Sequence, residues 1–463
     1  MNNDEDTQSA IKSVLNTNSL AVVGASSNLK KFGGMTMETI IKGGYKGQLY
    51  PVNPKSDEIM GIKAYKRLMD IPDAVDAVVI IVPAKIVAGV LKEAAKKEIK
   101  GAIILTAGFK EFGRMDLEKE LQEISRTRGI RIMGPNIQGV TYLPNKMNAM
   151  FFPVLKQQGP LAVITQSGSV TAALAEWTQR DKVGITAAVN LGNQADICES
   201  DYINFFADDP NAGVIVCYLE GIKDGDKFIS ALKYAVTKKP VVILKTGRTE
   251  AGAKSAASHT GSLAGNHAVF NGICRQYGAI SVTKLTRLYD AAKGLALIKP
   301  PKGNRVVILS TSGGSATLAS DEAESKGLVF PSLTAKAKEE LGTIGLDVMA
   351  HITNPMDMPA DNANIYLKAA KVIDRYDIAD IILFSFGDPV NNADADFVNA
   401  AGKLKASVAA CYFGGGELEL SSTPLMGQAG MAVFPTPERA VQGICAAVQR
   451  SMYLKHRNMD REV

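Results

Sequence analysis

Residues 160–177 read 160-PLAVITQSGSVTAALAEW-177. An apolar run at 161–164 is followed by Thr-Gln-Ser-Gly-Ser and then by an Ala/Leu-rich segment. A run without polar alternation suits a strand buried on both faces, as in a parallel sheet covered by helices. Ser and Gly directly after it suit a turn that opens a helix. The stretch therefore reads as the strand–turn–helix unit of an α/β fold.

The same unit recurs along the chain. The first strand candidates are 19-SLAVVG-24, 47-GQLYPV-52, 76-DAVVIIVP-83, 101-GAIILT-106 and 130-IRIMG-134. After 160-PLAVIT-165 come 184-GITAAV-189, 213-GVIVCYL-219, 240-PVVILK-245 and 278-GAISV-282. A third set is 305-RVVILS-310, 380-DIILFSF-386, 407-SVAACYF-413 and 430-GMAVFP-435. Two stretches punctuate them: 143-LPNKMNAMFFPVLKQQGP-160, which lacks strand or helix period, and the Pro/Gly/Lys linker 298-IKPPKGN-304. Boundaries placed there give three doubly wound domains, 1–143, 144–299 and 300–463, in line with a length of 463 residues. The motif T-x-x-G-S-x-T occurs at 165–171 and again at 311–317, each time between an apolar run and an Ala/Leu-rich helix. It fits either a duplication of the second and third domains or the general preference of βα turns for Ser and Gly.

Composition narrows the function. Hydrophobic residues make up 46% and charged residues 21%, as in ordinary globular proteins. A net charge of +5, with one Trp, offers neither the basic surface nor the stacking platforms of a nucleic-acid binder. The five cysteines (Cys198, Cys217, Cys274, Cys411 and Cys445) form no CxxC pair and have no His at ligand spacing, so no metal site is expected. The acidic start MNNDEDTQSA lacks a signal-peptide pattern, and no apolar run is long enough to span a bilayer. A cytoplasmic location is expected.

The first βα turn, 22-VVGASSNLKKFGG-34, keeps only Gly24 of a G-x-G-x-x-G fingerprint. The second strand ends in Asn53 and Lys55 where an NAD site would place an acidic residue. Lysine there favours a phosphorylated ribose, as in coenzyme A or NADP. The two Ser-Gly helix starts present free N–H groups suited to phosphate. A nucleophile elbow is excluded at 165-TQSGS-169, because Thr165 stands where glycine is required. A Walker loop is excluded at 247–255, because Ala253 breaks the spacing before Lys254-Ser255.

Two further residues stand out. His259 lies among Ser, Ala, Thr and Gly in 244-LKTGRTEAGAKSAASHTGSLAG-265, a segment whose small residues suit a loop that moves an imidazole into a cleft. Glu220 ends the run 213-GVIVCYLE-220 at the sheet edge where open α/β folds bind ligands. A carboxylate bonded to one ring nitrogen would fix the tautomer and leave the other nucleophilic. An N-cap, or an ion pair with Lys223, is the other reading of Glu220.

Taken together, these motifs resemble the α subunit of ADP-forming acyl-CoA synthetases, the acetate–CoA ligase relatives of succinyl-CoA synthetase. The resemblance rests on 24-GASS-27, 51-PVNPK-55, 106-TAGFKEFG-113, 134-GPN-136, 165-TQSGS-169, 192-GNQADICESDYINFFADDP-210, 218-YLEGIKDG-225, 245-KTGRTEAGAKSAASHTGSLAG-265, 310-STSGGSATLASD-321, 354-NPMD-357 and 433-VFPTPERA-440. It implies an N-terminal Rossmann-like CoA-binding domain followed by two flavodoxin-like ligase domains with doubly wound parallel sheets. It implies the reversible reaction acyl-CoA + ADP + phosphate = acid + ATP + CoA, through an acyl phosphate and a phosphohistidine at His259, oriented by Glu220. Phosphate contacts map to Gln166, Ser167 and Gly168, and to Gly313 and Gly314. CoA contacts map to Gly24, Ser26, Ser27, Lys55, Pro83, Thr106 and Asn136. The sequence departs from the family at 311-TSGGSAT-317, where T-N-x-G-G-P-G is common, and at Ile137, which replaces a cysteine.

No ATP-grasp pattern occurs within the 463 residues. Nucleotide (ADP/ATP) and Mg²⁺ are therefore expected on a separate ATP-grasp β subunit, in an α2β2 heterotetramer. Two other readings compete with this one: a non-catalytic acyl-CoA sensor or scaffold with the same fold, and an NADP-dependent oxidoreductase. The intact SHTG loop argues against the first, and Ser26 and Leu29 at the glycine positions argue against the second.

Overall fold

The computed structural model describes residues 3–254, 266–344, 352–358 and 361–459. The chain divides into two compact units, 1–179 with 184–281, and 180–183 with 282–463.

The first unit contains two sheets. One comprises β1 (Ser19–Val23), β2 (Gln48–Val52), β3 (Ala77–Ile80), β4 (Gly101–Ile104) and β5 (Arg131–Met133), all parallel, in the order β2-β1-β3-β4-β5. The apolar runs form these strands because every residue of β3 and β4 is buried. Beside it a hairpin pairs Glu58–Ile59 with Ile62–Lys63. The second sheet comprises β6 (Gly139–Tyr142), β7 (Met147–Met150), β8 (Gln158–Thr165), β9 (Ile185–Asn190), β10 (Val214–Leu219), β11 (Val241–Lys245) and β12 (Ile280–Val282). Its order is β12-β11-β10-β8-β9-β6-β7.

The second unit carries the third sheet: β13 (Val306–Ser310), β14 (Met356–Asp357), β15 (Ile381–Gly387), β16 (Ser407–Phe413) and β17 (Val433–Phe434). These strands are parallel in the order β14-β13-β15-β16-β17. Phe384, Phe386, Phe397, Tyr366 and Tyr412 fill its core through edge-on ring contacts.

The parallel strands of all three sheets share one order. Setting aside the antiparallel pair β6–β7, the first parallel strand (β1, β8 and β13) lies between the second and third, the 2-1-3-4-5 order, so each sheet has a switch point between parallel strands one and three. Helices leave these points at Phe32–Gly43, Gly168–Arg180 and Gly313–Ser325. Both copies of T-x-x-G-S-x-T sit there and make the same bond. Thr171 Oγ1 donates to the Ser167 carbonyl at 2.9 Å, and Thr317 Oγ1 donates to the Gly313 carbonyl at 2.9 Å.

Two segments differ from the pattern read in the sequence. Residues 143–160 lack a visible period, yet β7 forms there and pairs antiparallel with β6, which extends the second sheet from β9. Met-Asn-Ala-Met carries no β-branched residue; cross-strand pairing, not propensity, makes the strand. The break expected at 143/144 falls in the turn of this hairpin. The helix Leu285–Leu297 precedes the linker at 298–304 but belongs to the second unit, where it packs on Pro437–Met459. Buried Asp290 accepts two hydrogen bonds from Arg439 between these helices, at 2.8 and 2.7 Å.

Candidate functional site

The first switch point is built on glycine. Gly24 has φ +92°, and a Cβ there would stand 2.1 Å from the Ile81 carbonyl oxygen. A Cβ on Gly33 would stand 2.0 Å from the Gly24 carbonyl oxygen. Gly33 thus lets the helix Phe32–Gly43 close on the strand end, the role of the last glycine in a dinucleotide fingerprint, but with a longer loop between. That loop carries Ser26 and Ser27. Ser26 Oγ accepts from the Asn28 N–H at 3.1 Å, and Ser27 Oγ accepts from the Met60 N–H at 3.3 Å. Asn53 ties the loop to the end of β2, donating to the Ala25 carbonyl at 2.8 Å and accepting from the Lys55 N–H at 2.9 Å. The Lys55 side chain is exposed.

A cavity of about 670 Å³ lies in the first unit. It gathers Pro83, Thr106 and Asn136 from the first sheet with Gln166 and Gly168 from the second. Gly24, Ser26, Ser27 and Lys55 do not line it; they occupy the loops after β1 and β2. Thr106 Oγ1 donates to the Val82 carbonyl at 2.8 Å and so fixes the ends of β3 and β4. Asn136, at φ +61°, donates its N–H to the Thr106 carbonyl at 2.9 Å and its Nδ2 to Asn193 Oδ1 at 3.2 Å.

Asn193 connects the two sheets. Its Nδ2 donates to Glu111 Oε2 at 2.5 Å and to Glu118 Oε2 at 2.8 Å, while its carbonyl accepts from Lys110 Nζ at 2.7 Å. Burial pushes the Glu111 carboxyl up, but hydrogen bonds from Asn193 and from the Gly108 and Phe109 N–H groups outweigh it, so its pKa lies below the ordinary value.

At the second switch point Gln166 is buried and binds the backbone after β10. Its Nε2 donates to the Gly221 carbonyl at 2.9 Å, and its Oε1 accepts from the Gly221 N–H at 2.9 Å and from the Glu220 N–H. Glu220 is 8% exposed. It does not cap the next helix: Asp224 does, accepting from the Lys227 N–H. Lys223 donates to the Gln194 carbonyl at 2.7 Å. Lys245, ending β11, donates to the Glu220 carbonyl at 2.9 Å and the Thr246 carbonyl at 3.1 Å. Burial lowers the Lys245 ammonium, and the Glu220 charge opposes that shift. His267 is lowered first by burial and then by Arg248 and Lys245. Positive charge therefore collects where the segment carrying His259 leaves the strand. His259 itself lies outside the described residues.

In the second unit the helix Gly313–Ser325 starts from Ser312, whose hydroxyl accepts from the Ser315 N–H at 3.3 Å. Gly313 and Gly314 are exposed, and a Cβ on Gly314 would meet nothing within 4 Å. Thr311 Oγ1 accepts from the Gly387 N–H at 2.8 Å, which joins strands one and three as Gln166 does in the second sheet.

Four residues of the site escape a sequence reading. Glu111, Gln138, Asn190 and Asn193 carry no periodic signal; the packing of two sheets brings Gln138, Asn190 and Asn193 to one cavity, and Glu111 is tied to it through its bond with Asn193. Asn193 lies inside 192-GNQAD-196. That motif marks the segment without giving this residue a role.

Parallel sheets of this order, with helix starts at their switch points, define an α/β protein built to hold anionic ligands, and comparison with known proteins gives the class, a CoA ligase. Residues 18–143 match the CoA binding domain family, and residues 158–295 match the succinyl-CoA ligase like flavodoxin domain family. The chain is 36% identical to the acetate–CoA ligase [ADP-forming] I subunit alpha of Pyrococcus furiosus, across 97% of this chain and 99% of that protein. It is 35% identical to acetate–CoA ligase [ADP-forming] I of Archaeoglobus fulgidus across 92% of this chain, and spans 61% of that longer protein. The dinucleotide forming acetyl-coenzyme A synthetase 1 of Ca. Korarchaeum cryptofilum, solved with phosphate and ADP, superposes with a TM-score of 0.89 at 33% identity, covering 96% of this chain and 98% of that one. The chain belongs to the ADP-forming acetate–CoA ligase family, as an α-subunit member.

Proposed function

We propose that this chain is the α subunit of an ADP-forming acyl-CoA synthetase, running acyl-CoA + ADP + phosphate = acid + ATP + CoA. The observation that carries the reading is the shared cavity, in which Pro83, Thr106 and Asn136 face the helix start at Gln166 and Gly168. CoA would lie along Gly24, Ser26, Ser27 and Lys55 and reach its thioester into the cavity. Phosphate would bind the free N–H groups of the Gly168 helix, which favour negative charge. A phosphate oxygen then bonds to the acyl carbon, the C–S bond breaks, and the sulfur leaves with the electron pair and takes up a proton. The acyl phosphate passes its phosphoryl group to His259 and releases the acid. Glu220, held by Gln166 and Lys245, orients the imidazole. Gly313 and Gly314 are a second phosphoryl-binding helix start. Positioned donors at developing charge are the main source of rate in phosphoryl transfer.

An ATP-grasp β subunit would supply ADP/ATP and Mg²⁺ and complete an α2β2 heterotetramer. Among the described residues no helix is long and apolar enough to cross a membrane. A cytoplasmic location and three domains, one per sheet, belong to the same proposal.

The test is phosphorylation. Labelled acetyl phosphate should phosphorylate the wild-type chain on His259, with an acid-labile bond, and leave His259→Ala unlabelled. Equal labelling of the two would sink the mechanism. CoA binding with no labelling and no ATP formation beside any ATP-grasp partner would mark a sensor instead.

A further inference from the structure

Gln138 carries a hydrogen-bond acceptor that the described residues leave unused. The side chain is 7% exposed. Its backbone N–H donates to Asn190 Oδ1 at 2.8 Å, and its Nε2 donates to the Phe152 carbonyl. Donation to a carbonyl fixes which amide atom is nitrogen, and so turns Oε1 the other way. Oε1 is buried and has no partner among the described residues. A buried oxygen without a donor is uncommon in native proteins and calls for a reason.

Its location supplies one. Oε1 stands 3.3 Å from where a Cβ on Gly168 would be. Gly168 is the first residue of the helix Gly168–Arg180, and Gln138, Gly168, Ser169 and Asn190 all line the cavity. The helix start offers donors to an anion, and beside it stands one acceptor. A fully ionised anion would meet repulsion at Oε1. An anion with several unprotonated oxygens and one hydroxyl would satisfy both.

Hydrogenphosphate, HPO₄²⁻, has three unprotonated oxygens and one O–H. We propose that Gln138 is a positioning residue whose Oε1 accepts the hydrogen bond of that O–H when phosphate binds at the Gly168 helix start. The inference rests on the reading that phosphate binds there. It adds an orientation: the hydroxyl is held at Gln138, and the three unprotonated oxygens face the N–H groups and the acyl carbon. It also adds a selectivity, because tetrahedral anions without an O–H gain nothing from Gln138.

The experiment titrates the full chain at neutral pH with inorganic phosphate and with fluorophosphate, a dianion whose fluorine replaces the O–H. The wild type should bind phosphate roughly fivefold to tenfold more tightly than fluorophosphate, the size of one hydrogen bond. Gln138→Met should bind the two alike. Gln138→Glu, which keeps an acceptor oxygen at the same reach, should bind both more weakly yet retain the preference. The urea-unfolding midpoint of each variant is the control for folding. A wild type that binds both anions equally overturns the assignment without any variant, while the phosphate reading stands. A wild type that binds neither removes the phosphate reading and the inference with it. A Met variant with altered CoA affinity and an intact phosphate preference overturns it too, and gives Oε1 to an amide of the CoA arm.

Discussion

Gln166 and Gly221 exchange two hydrogen bonds, from Nε2 to the Gly221 carbonyl and from the Gly221 N–H to Oε1, both at 2.9 Å. One side chain thus copies a backbone ladder across the switch point of the second sheet. The residue before the phosphate-type helix start is locked to the residue after Glu220. Movement of one would move the other, a coupling that the proposed transfer from a helix-bound phosphoryl group to His259 would use.

Gln166→Leu keeps the volume and removes the clamp. It leaves the Gly221 and Glu220 N–H groups without their acceptor in a buried place, at a cost of about 2–4 kcal/mol. Urea unfolding should show a lower midpoint, and phosphate affinity should fall while CoA affinity holds. An unchanged midpoint would remove the clamp's structural role.

The Glu111–Asn193–Asn136 chain predicts a one-sided pH dependence. Hydrogen bonds set the folded pKa of Glu111 below its ordinary value. Its contribution is then present above the unfolded pKa and is lost as pH falls through the folded one. From this group, folding stability should be flat around neutrality and should decline only on the acid side, as pH falls through the ordinary carboxylate range to the lower folded pKa. Glu111→Gln should be less stable than the wild type at neutral pH and should lose that acid-side decline. Urea unfolding across the pH range, wild type against variant, makes the comparison.

Glycines separate by what surrounds them. Gly24→Ala and Gly33→Ala would each drive a Cβ to about 2 Å from a backbone oxygen, and should cost more than about 2 kcal/mol and abolish CoA binding. Gly89, inside the helix Ala84–Lys96, has nothing within 4 Å of its Cβ position. Gly89→Ala should stabilise by roughly 0.5–1 kcal/mol. Thermal melts and CoA titration on the three variants give the contrast.

In the second unit Lys293 is 1% exposed and donates to Asp181 Oδ2 at 2.9 Å, with its ammonium 4.4 Å from the Phe434 ring centroid. Asp181 also accepts from Tyr289 and Arg180. Asp181→Ala therefore leaves a buried cation without its carboxylate and should cost about 3–5 kcal/mol. Lys293→Met leaves Asp181 with two partners and should cost less. The double variant should be less destabilised than the sum of the two, and denaturant titration of all four proteins measures the difference.

The sequence alone determined the strands and their burial. Runs such as 77–80 and 101–104 are apolar at every position, and a run without alternation suits only a strand covered on both sides. It also marked the turn after each first strand, because Ser, Gly and Thr there serve the local backbone, as the matching Thr171 and Thr317 bonds show. The family followed from motifs strung in order along the whole chain. Tertiary structure decided the rest. The strand at 147–150 exists because β6 pairs with it. The helix Leu285–Leu297 joins the second unit because a buried Asp290–Arg439 pair holds it there. Glu111, Asn193 and Asn136 meet from positions far apart in the chain, and Gln138 acquires an unmet acceptor only where Gly168 approaches it. Local periodicity reports which face of an element is buried; it carries no information on which polar side chains the packing of two sheets will leave facing one another.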